Sequence, residues 1–225
     1  MEDIKFTFLM PCWNGEKYIE QAIDSVLSQT YNNWELVFID NGSSDNTGKI
    51  IDEYANHDKR IIPVHITHLD TVSKSRNAGI PFITGDYTQL LDSDDYISHD
   101  MLEKYYKIIK STNCDICLSD VITFNDKNET KLMFKGFLGD YSQIISGKKA
   151  FFYSIDWRIH AWLCAKSFII KNIKFDTTNF VGDEYSTRLM LAQAADIAFT
   201  DAIYFYRNNP LSTGKHPKNQ LKKMT

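Results

Sequence analysis

Apolar positions in the first part of the chain alternate between short unbroken runs and spaced pairs. Lys5-Phe6-Thr7-Phe8-Leu9-Met10 is stopped by Pro11, and Trp34-Glu35-Leu36-Val37-Phe38-Ile39 is stopped by Asp40-Asn41-Gly42. Runs of this length bounded by turn residues predict buried strands. Between them Tyr18, Ile19, Ala22, Ile23, Val26 and Leu27 fall at helical spacing, giving one apolar stripe from about Glu16 to Gln29. Thr47 to Ala55 then reads as a helix and Ile61 to Ile66 as a strand. Ser73 to Ala78 is helical, Tyr87 to Leu91 a strand, and about Asp100 to Lys110 a helix. Strand and helix in alternation predict an α/β fold with a parallel sheet and right-handed crossovers.

After Asp115 the pattern changes. Ile116 to Phe124 is strand-like, Asn125-Asp126-Lys127-Asn128 is a polar turn, and a return strand is expected around Lys131 to Lys135, which makes an antiparallel extension. Helices are expected at Ser142 to Tyr153 and about Asp183 to Ala195, with a last strand at Ile197 to Tyr206. No linker, repeat or low-complexity tract interrupts this order, so the 225 residues are read as one domain.

Composition narrows the function classes. With 25 basic and 29 acidic side chains the formal net charge is −4, which argues against a nucleic-acid binder. No apolar run approaches the roughly 18 residues of a membrane span, and the acidic start is unlike a secretory signal, so the chain is read as cytoplasmic. Cys12, Cys114, Cys117 and Cys164 are too few and scattered for a disulfide framework and are read as reduced, structural thiols. The histidines at 57, 65, 68, 99 and 160 show no paired spacing and are read as ordinary surface or core residues.

The chemistry concentrates where predicted strands end. Ligands of open α/β sheets bind beyond the carboxyl ends of the strands. Pro11-Cys12-Trp13-Asn14, Asp40-Asn41-Gly42-Ser43 and Asp92-Ser93-Asp94-Asp95 all fall there, so three distant segments are expected at one rim. Three carboxylates within four positions repel one another unless they are solvated, hydrogen-bonded or neutralised by a cation. The cluster therefore reads either as a solvated capping turn or as a site for a hard divalent ion such as Mg²⁺ or Mn²⁺ shared with phosphates. Trp13 reads either as a half-buried core aromatic or as a stacking face for a nucleobase, with Asp40 and Asn41 placed to read base or ribose. The chain has neither the Gly-x-Gly-x-x-Gly of dinucleotide enzymes nor a P-loop.

In order and spacing these segments resemble the family 2 glycosyltransferases of GT-A fold, over about residues 4–213. Pro11-Cys12-Trp13-Asn14 is similar to the family's opening turn, Asp40-Asn41-Gly42-Ser43-Ser44-Asp45 to its second, Ser75-Arg76-Asn77-Ala78-Gly79 to its Arg-Asn-x-Gly segment, and Asp92-Ser93-Asp94 to its Asp-x-Asp motif. The resemblance implies a GT-A sheet with a nucleotide-sugar half over about residues 1–115, an acceptor half over about 116–213 and a basic tail at 214–225. It implies transfer of a sugar from a nucleoside-diphosphate sugar, a UDP-sugar in the first instance, to a hydroxyl of a glycan or lipid-linked acceptor in cell-surface polysaccharide synthesis.

By the same resemblance Pro11, Trp13, Asn14, Asp40, Asn41, Arg76, Asp92 and Ser93 bind the donor. Asp94, helped by Asp95, holds Mn²⁺ or Mg²⁺. Gly182-Asp183-Glu184-Tyr185-Ser186-Thr187 is similar to the segment whose Asp is the base of an inverting displacement, which implies Asp183 as base with Glu184 and Trp162 in support; Gly182 stands where the family has Glu. Tyr206-Arg207 resembles the family's closing segment. The tail beyond it, with Lys215, His216, Lys218, Lys222 and Lys223, could close over the diphosphate with His216 as a further ligand, lie on the inner face of an anionic membrane, or be a solvated end. Two other readings stand beside this one: a nucleotide-sugar-binding protein without turnover, and a sugar-phosphate nucleotidyltransferase.

Overall fold

The first apolar run forms β1 (Phe6–Cys12), and alternation within it sets the layers of the molecule. Phe6, Phe8 and Met10 enter one core and Leu9 the other. The computed structural model describes residues 3–127, 129–160, 162–178 and 182–209. β2 (Trp34–Asp40) repeats the alternation, with Trp34, Leu36 and Phe38 on the first face and Val37 and Ile39 on the second. It runs parallel to β1 in register from Phe6↔Trp34 to Cys12↔Asp40. β3 (Ile61–His65) adds to β2 and β4 (Tyr87–Leu90) to the other side of β1, both parallel.

Pro11 lies inside β1 and does not end it. The β4 ladder stops at Leu9↔Leu90, so at Pro11 the strand pairs on the β2 side alone and its missing N–H breaks no second ladder.

Helices cover both faces. α1 (Ile19–Leu27), α2 (Thr47–His57) and α4 (Met101–Thr112) bury Ile23, Ile51 and Tyr105 in the first core. On the second face lie α3 (Val72–Gly79), α5 (Gly147–Ile155), α6 (Ser167–Ile173) and α7 (Gly182–Gln193), with Ala150, Ile170 and Met190 in that core. Gly79 lets α3 approach the sheet closely, since a Cβ there would press on the Leu9 and Ile39 methyls at 2.7 Å.

The remaining strands are β5 (Tyr96–Ile97), β6 (Ile116–Phe124), β7 (Thr130–Phe134), β8 (Ile145–Ser146), β9 (Leu163–Lys166) and β10 (Asp196–Arg207). The sheet order is β3-β2-β1-β4-β9-β6-β10-β5, with β7 on β6 and β8 on β10. β6 and β7 form the expected antiparallel pair, and β9 is antiparallel to both β4 and β6. β10 runs parallel to β6. The helix expected from Ser142 starts later, at Gly147: Ile145 and Ser146 pair with β10, and the Ser146 hydroxyl caps the helix by accepting from Lys149 N.

Successive strands step outward from β1 to β3 and then return to β4 on the opposite side of β1. The carboxyl end of β1 is thus a topological switch point, where adjacent connections diverge and leave a crevice. Among the described residues no helix is long and apolar enough to cross a membrane. All four cysteines are buried and free.

Candidate active site

The turns after β1 and β2 are laced together at this crevice. Asn14 adopts a left-handed backbone, φ 51°, and its Oδ1 accepts from Ser44 N at 2.8 Å while its own N–H donates to Ser43 Oγ at 3.0 Å. Gly15 N donates to Thr47 Oγ1 and Glu16 N to Asp45 Oδ2. Trp13 projects beyond this lacing, 48% exposed, its ring tilted against His68 at 4.6 Å between centroids. Cys12 beneath it is buried, which pushes its thiol up to about 12 against a hydrogen bond from Ser93.

Asp40 closes β2, 6% exposed. Its Oδ1 accepts from Ser43 N at 3.0 Å and its Oδ2 meets His65 Nδ1 at 3.1 Å. Asn41 uses both ends of its amide to clip the following loop, donating to Leu69 O at 2.8 Å and accepting from Leu69 N at 2.6 Å. It shapes the wall on which His68 and Trp13 sit, because His68 Nδ1 meets the Asn41 carbonyl at 3.1 Å.

The four acidic-turn residues after β4 divide into different environments. Asp92 Oδ1 accepts from Arg76 Nη2 at 2.6 Å. Asp94 Oδ2 accepts from Asn209 Nδ2 at 3.0 Å; burial pushes its carboxyl above the usual range, and the charge of Asp92 adds to this. Asp95 is 1% exposed, with Oδ2 accepting from Tyr204 Oη at 2.8 Å and Oδ1 from Arg207 N at 2.7 Å. Burial, then Asp94 and Asp92, push Asp95 well above the carboxylate range. Asp95 therefore braces the end of β10 against the turn, and both of its oxygens are engaged within the fold. Arg207 completes the brace by donating to the Asp94 carbonyl, Asp126 and Gln21. Ser93 faces the first turn, its Oγ beside Gly15.

Arg76, on α3 and 5% exposed, binds Asp92 with one terminal nitrogen and lies 3.6 Å from Asp183 Oδ2 with the other. The guanidinium thus draws the acidic turn and the start of α7 to one point. Glu184, one residue on, turns along its own helix to Arg188 at 2.7 Å, as the roughly 100° between neighbouring helical side chains requires. Gly182 has a steric reason: a Cβ there would overlap the Asp176 carbonyl. Trp162 packs on Tyr206 and Tyr204, at 4.9 and 5.9 Å, behind the Asp95 brace.

Among the described residues no three His, Cys, Asp or Glu side chains form a ready metal cage. The donor set fits a different kind of site. Asp94 and Asp92 are hard oxygen donors crowded together, which suits a cation whose remaining positions are filled by a ligand's phosphates. His216 lies outside the described residues. His65 and His68, ordinary residues by their spacing in the sequence, each contact a rim residue. Their signal is visible only after β3 is placed, since neither has a motif.

The strand order with this switch point, flanked by helices on both faces, is a mixed α/β nucleotide-binding type of sheet. The model of glycosyl transferase family 2 matches residues 7–169, well over half of the chain, and the chain belongs to that family. It is 28% identical over 216 residues to glycosyltransferase GlyA of Streptococcus pneumoniae, covering 91% of this chain and 31% of that protein. It is 33% identical over 106 residues to the putative teichuronic acid biosynthesis glycosyltransferase TuaG of Bacillus subtilis, covering 47% of this chain and 42% of TuaG. The fold matches S. aureus TarS 1-349 in complex with UDP-GlcNAc, with a TM-score of 0.76 at 20% identity over 92% of this chain and 59% of that one. The chain thus spans about a third of GlyA and under two thirds of the TarS fragment.

Proposed function

We propose that this chain transfers a sugar, with inversion, from a UDP-sugar to a hydroxyl of a glycan or lipid-linked acceptor in cell-surface polysaccharide synthesis. The observation that carries the reading is Arg76, which holds Asp92 at 2.6 Å and Asp183 at 3.6 Å. It joins a diphosphate-side carboxylate to a candidate base across one cleft. The names of TuaG and of the TarS complex support the substrate class.

In this reading the exposed Trp13 stacks on the base, while Asp40, fixed by Ser43 and His65, accepts from base or ribose. Asn14 and Asn41 hold the walls, and Pro11 and Ser93 line the floor. Asp92, oriented by Arg76, faces ribose or sugar. Asp94 would hold Mn²⁺ or Mg²⁺ with Asp92 near by, and such an ion would stabilise negative charge on the departing diphosphate. The acceptor oxygen forms a bond to the anomeric carbon as the bond to the diphosphate oxygen breaks, and Asp183 takes the proton that the hydroxyl loses. Arg76 keeps Asp183 aimed into the cleft, and Glu184, paired with Arg188, supports the helix start.

Substitution at the helix start tests the assignment. Asp183→Asn is expected to bind UDP-sugar normally and to lose turnover by roughly 10²–10⁴-fold, the usual share of general-base catalysis. Glu184→Gln should keep most activity. UDP release from UDP-sugars, measured with and without glycan acceptors, reads both. A dead Glu184→Gln beside a near-normal Asp183→Asn moves the base one residue on.

A further inference from the structure

His65 closes β3 with both ring nitrogens against carboxylates. Nδ1 is 3.1 Å from Asp40 Oδ2 and Nε2 is 2.9 Å from Asp52 Oδ1. An ionised carboxylate only accepts hydrogen bonds, whereas a neutral imidazole has a single N–H. For both contacts to be hydrogen bonds to ionised carboxylates, the ring must carry a proton on each nitrogen. Asp40 comes from β2 and Asp52 from α2, on either side of the ring. Asp52 and Asp40 are the charged groups that act on the ring. No cation competes for Asp40 or Asp52 among the described ion pairs.

The packing leaves Asp40 little freedom. Its Oδ1 is bound by Ser43 N, and Gly48 presses so near that a Cβ there would lie 2.9 Å from Oδ2. We propose that His65 is a positioning residue, an imidazolium strung between Asp52 and Asp40 that fixes the Asp40 carboxylate for the nucleoside and makes nucleotide affinity depend on its protonation. The inference rests on the nucleotide reading above and extends it to a residue that the family motifs do not contain.

On losing a proton the ring keeps one N–H, and the lone pair exposed on the other nitrogen faces a carboxylate and repels it. Hydrogen bonding to Asp52, partly opposed by burial and reinforced by Asp40, already raises His65 above its ordinary 6.5. The arrangement is complete below that ordinary value and is lost as pH rises through the raised one. Loss of one charge-assisted hydrogen bond corresponds to about tenfold in affinity.

Two measurements on the full chain test this. NMR titration of labelled histidine in the nucleotide-free protein should show His65 protonated on both nitrogens, with a midpoint above the ordinary value that falls in Asp52→Asn. Calorimetry with UDP and Mn²⁺ from about pH 6 to about pH 8.5 should show wild-type affinity falling about tenfold relative to His65→Gln, which is weak and flat across the range. Asp52→Asn should move the wild-type transition to lower pH. A His65 midpoint at or below the ordinary value overturns the inference, as does UDP affinity unchanged in both variants. Failure of the wild type to bind UDP at any pH, with His65 still titrating high, contradicts the nucleotide reading and removes the nucleotide role of His65 while leaving its charge state established.

Discussion

Trp13 leaves the end of β1 half open to solvent, supported by His68 and by a turn whose backbone is fixed through Asn14 and Ser43. An aromatic ring in that position contributes little to the core and offers much to a flat ligand. Trp13→Ala is expected to weaken UDP by roughly 1–3 kcal/mol, on the scale of base stacking, with the melting temperature almost unchanged. Calorimetry and thermal unfolding on one preparation check it; normal affinity with a lowered melting temperature would return Trp13 to a packing role. At this scale the sequence places Trp13, Asp40, Asp92 and Asp94 at strand ends, because polar residues after buried runs mark the rim. It does not reveal that Asn41 clips Leu69, that Asp95 braces Tyr204 and Arg207, or that His65 joins Asp40 to Asp52. Each of those roles is fixed by a partner distant in sequence.

The pairing of β1 with β2 carries a polar device on its second face. Glu35, 3% exposed, accepts from Thr7 Oγ1 at 2.6 Å, from Thr84 N at 2.7 Å and from Thr84 Oγ1 at 2.5 Å, and pairs with Lys5 at 2.6 Å. Burial by itself raises its carboxyl, but the hydrogen bonds from Lys5, Thr7 and Thr84 together hold it below the usual range. A group depressed in the folded state stabilises above its unfolded pKa, and that contribution is lost as pH falls through the folded value. Glu35→Gln should therefore cost about 1–3 kcal/mol near neutral pH, and the difference from wild type should shrink in acid. Urea unfolding at about pH 7 and about pH 3 reads both. Long elements such as α1, β2 and α4 are legible because each spans several periods of apolar spacing. β5, β8, β9 and α6 are not: β5 and β8 have two residues each, and β9 is too short for any period. Pro11 misleads because its tolerance depends on where the β4 ladder stops.

Across the whole molecule, the path of the chain sets what meets what. β1 to β4 bring the first two turns and the acidic turn to one switch point, and β10, bonded to Asp95 by Tyr204 and Arg207, closes the acidic turn from the far side of the sheet. α3 and α7 lie on one face, so that Arg76 reaches both Asp92 and Asp183. The parallel half follows from alternating strand and helix patterns, which leave few topologies open. The parallel pairing of β10 with β6 does not, since nothing local in an apolar run states its direction. In the function proposed above, Asp94 couples a divalent ion to a nucleoside diphosphate at this rim. Calorimetric titration of UDP into wild type and Asp94→Ala, with and without Mn²⁺, tests it most directly. The expected result is tight binding by the wild type only with Mn²⁺, and loss of the Mn²⁺ dependence in a folded Asp94→Ala; an unaltered Mn²⁺-dependent UDP affinity in that variant would contradict it.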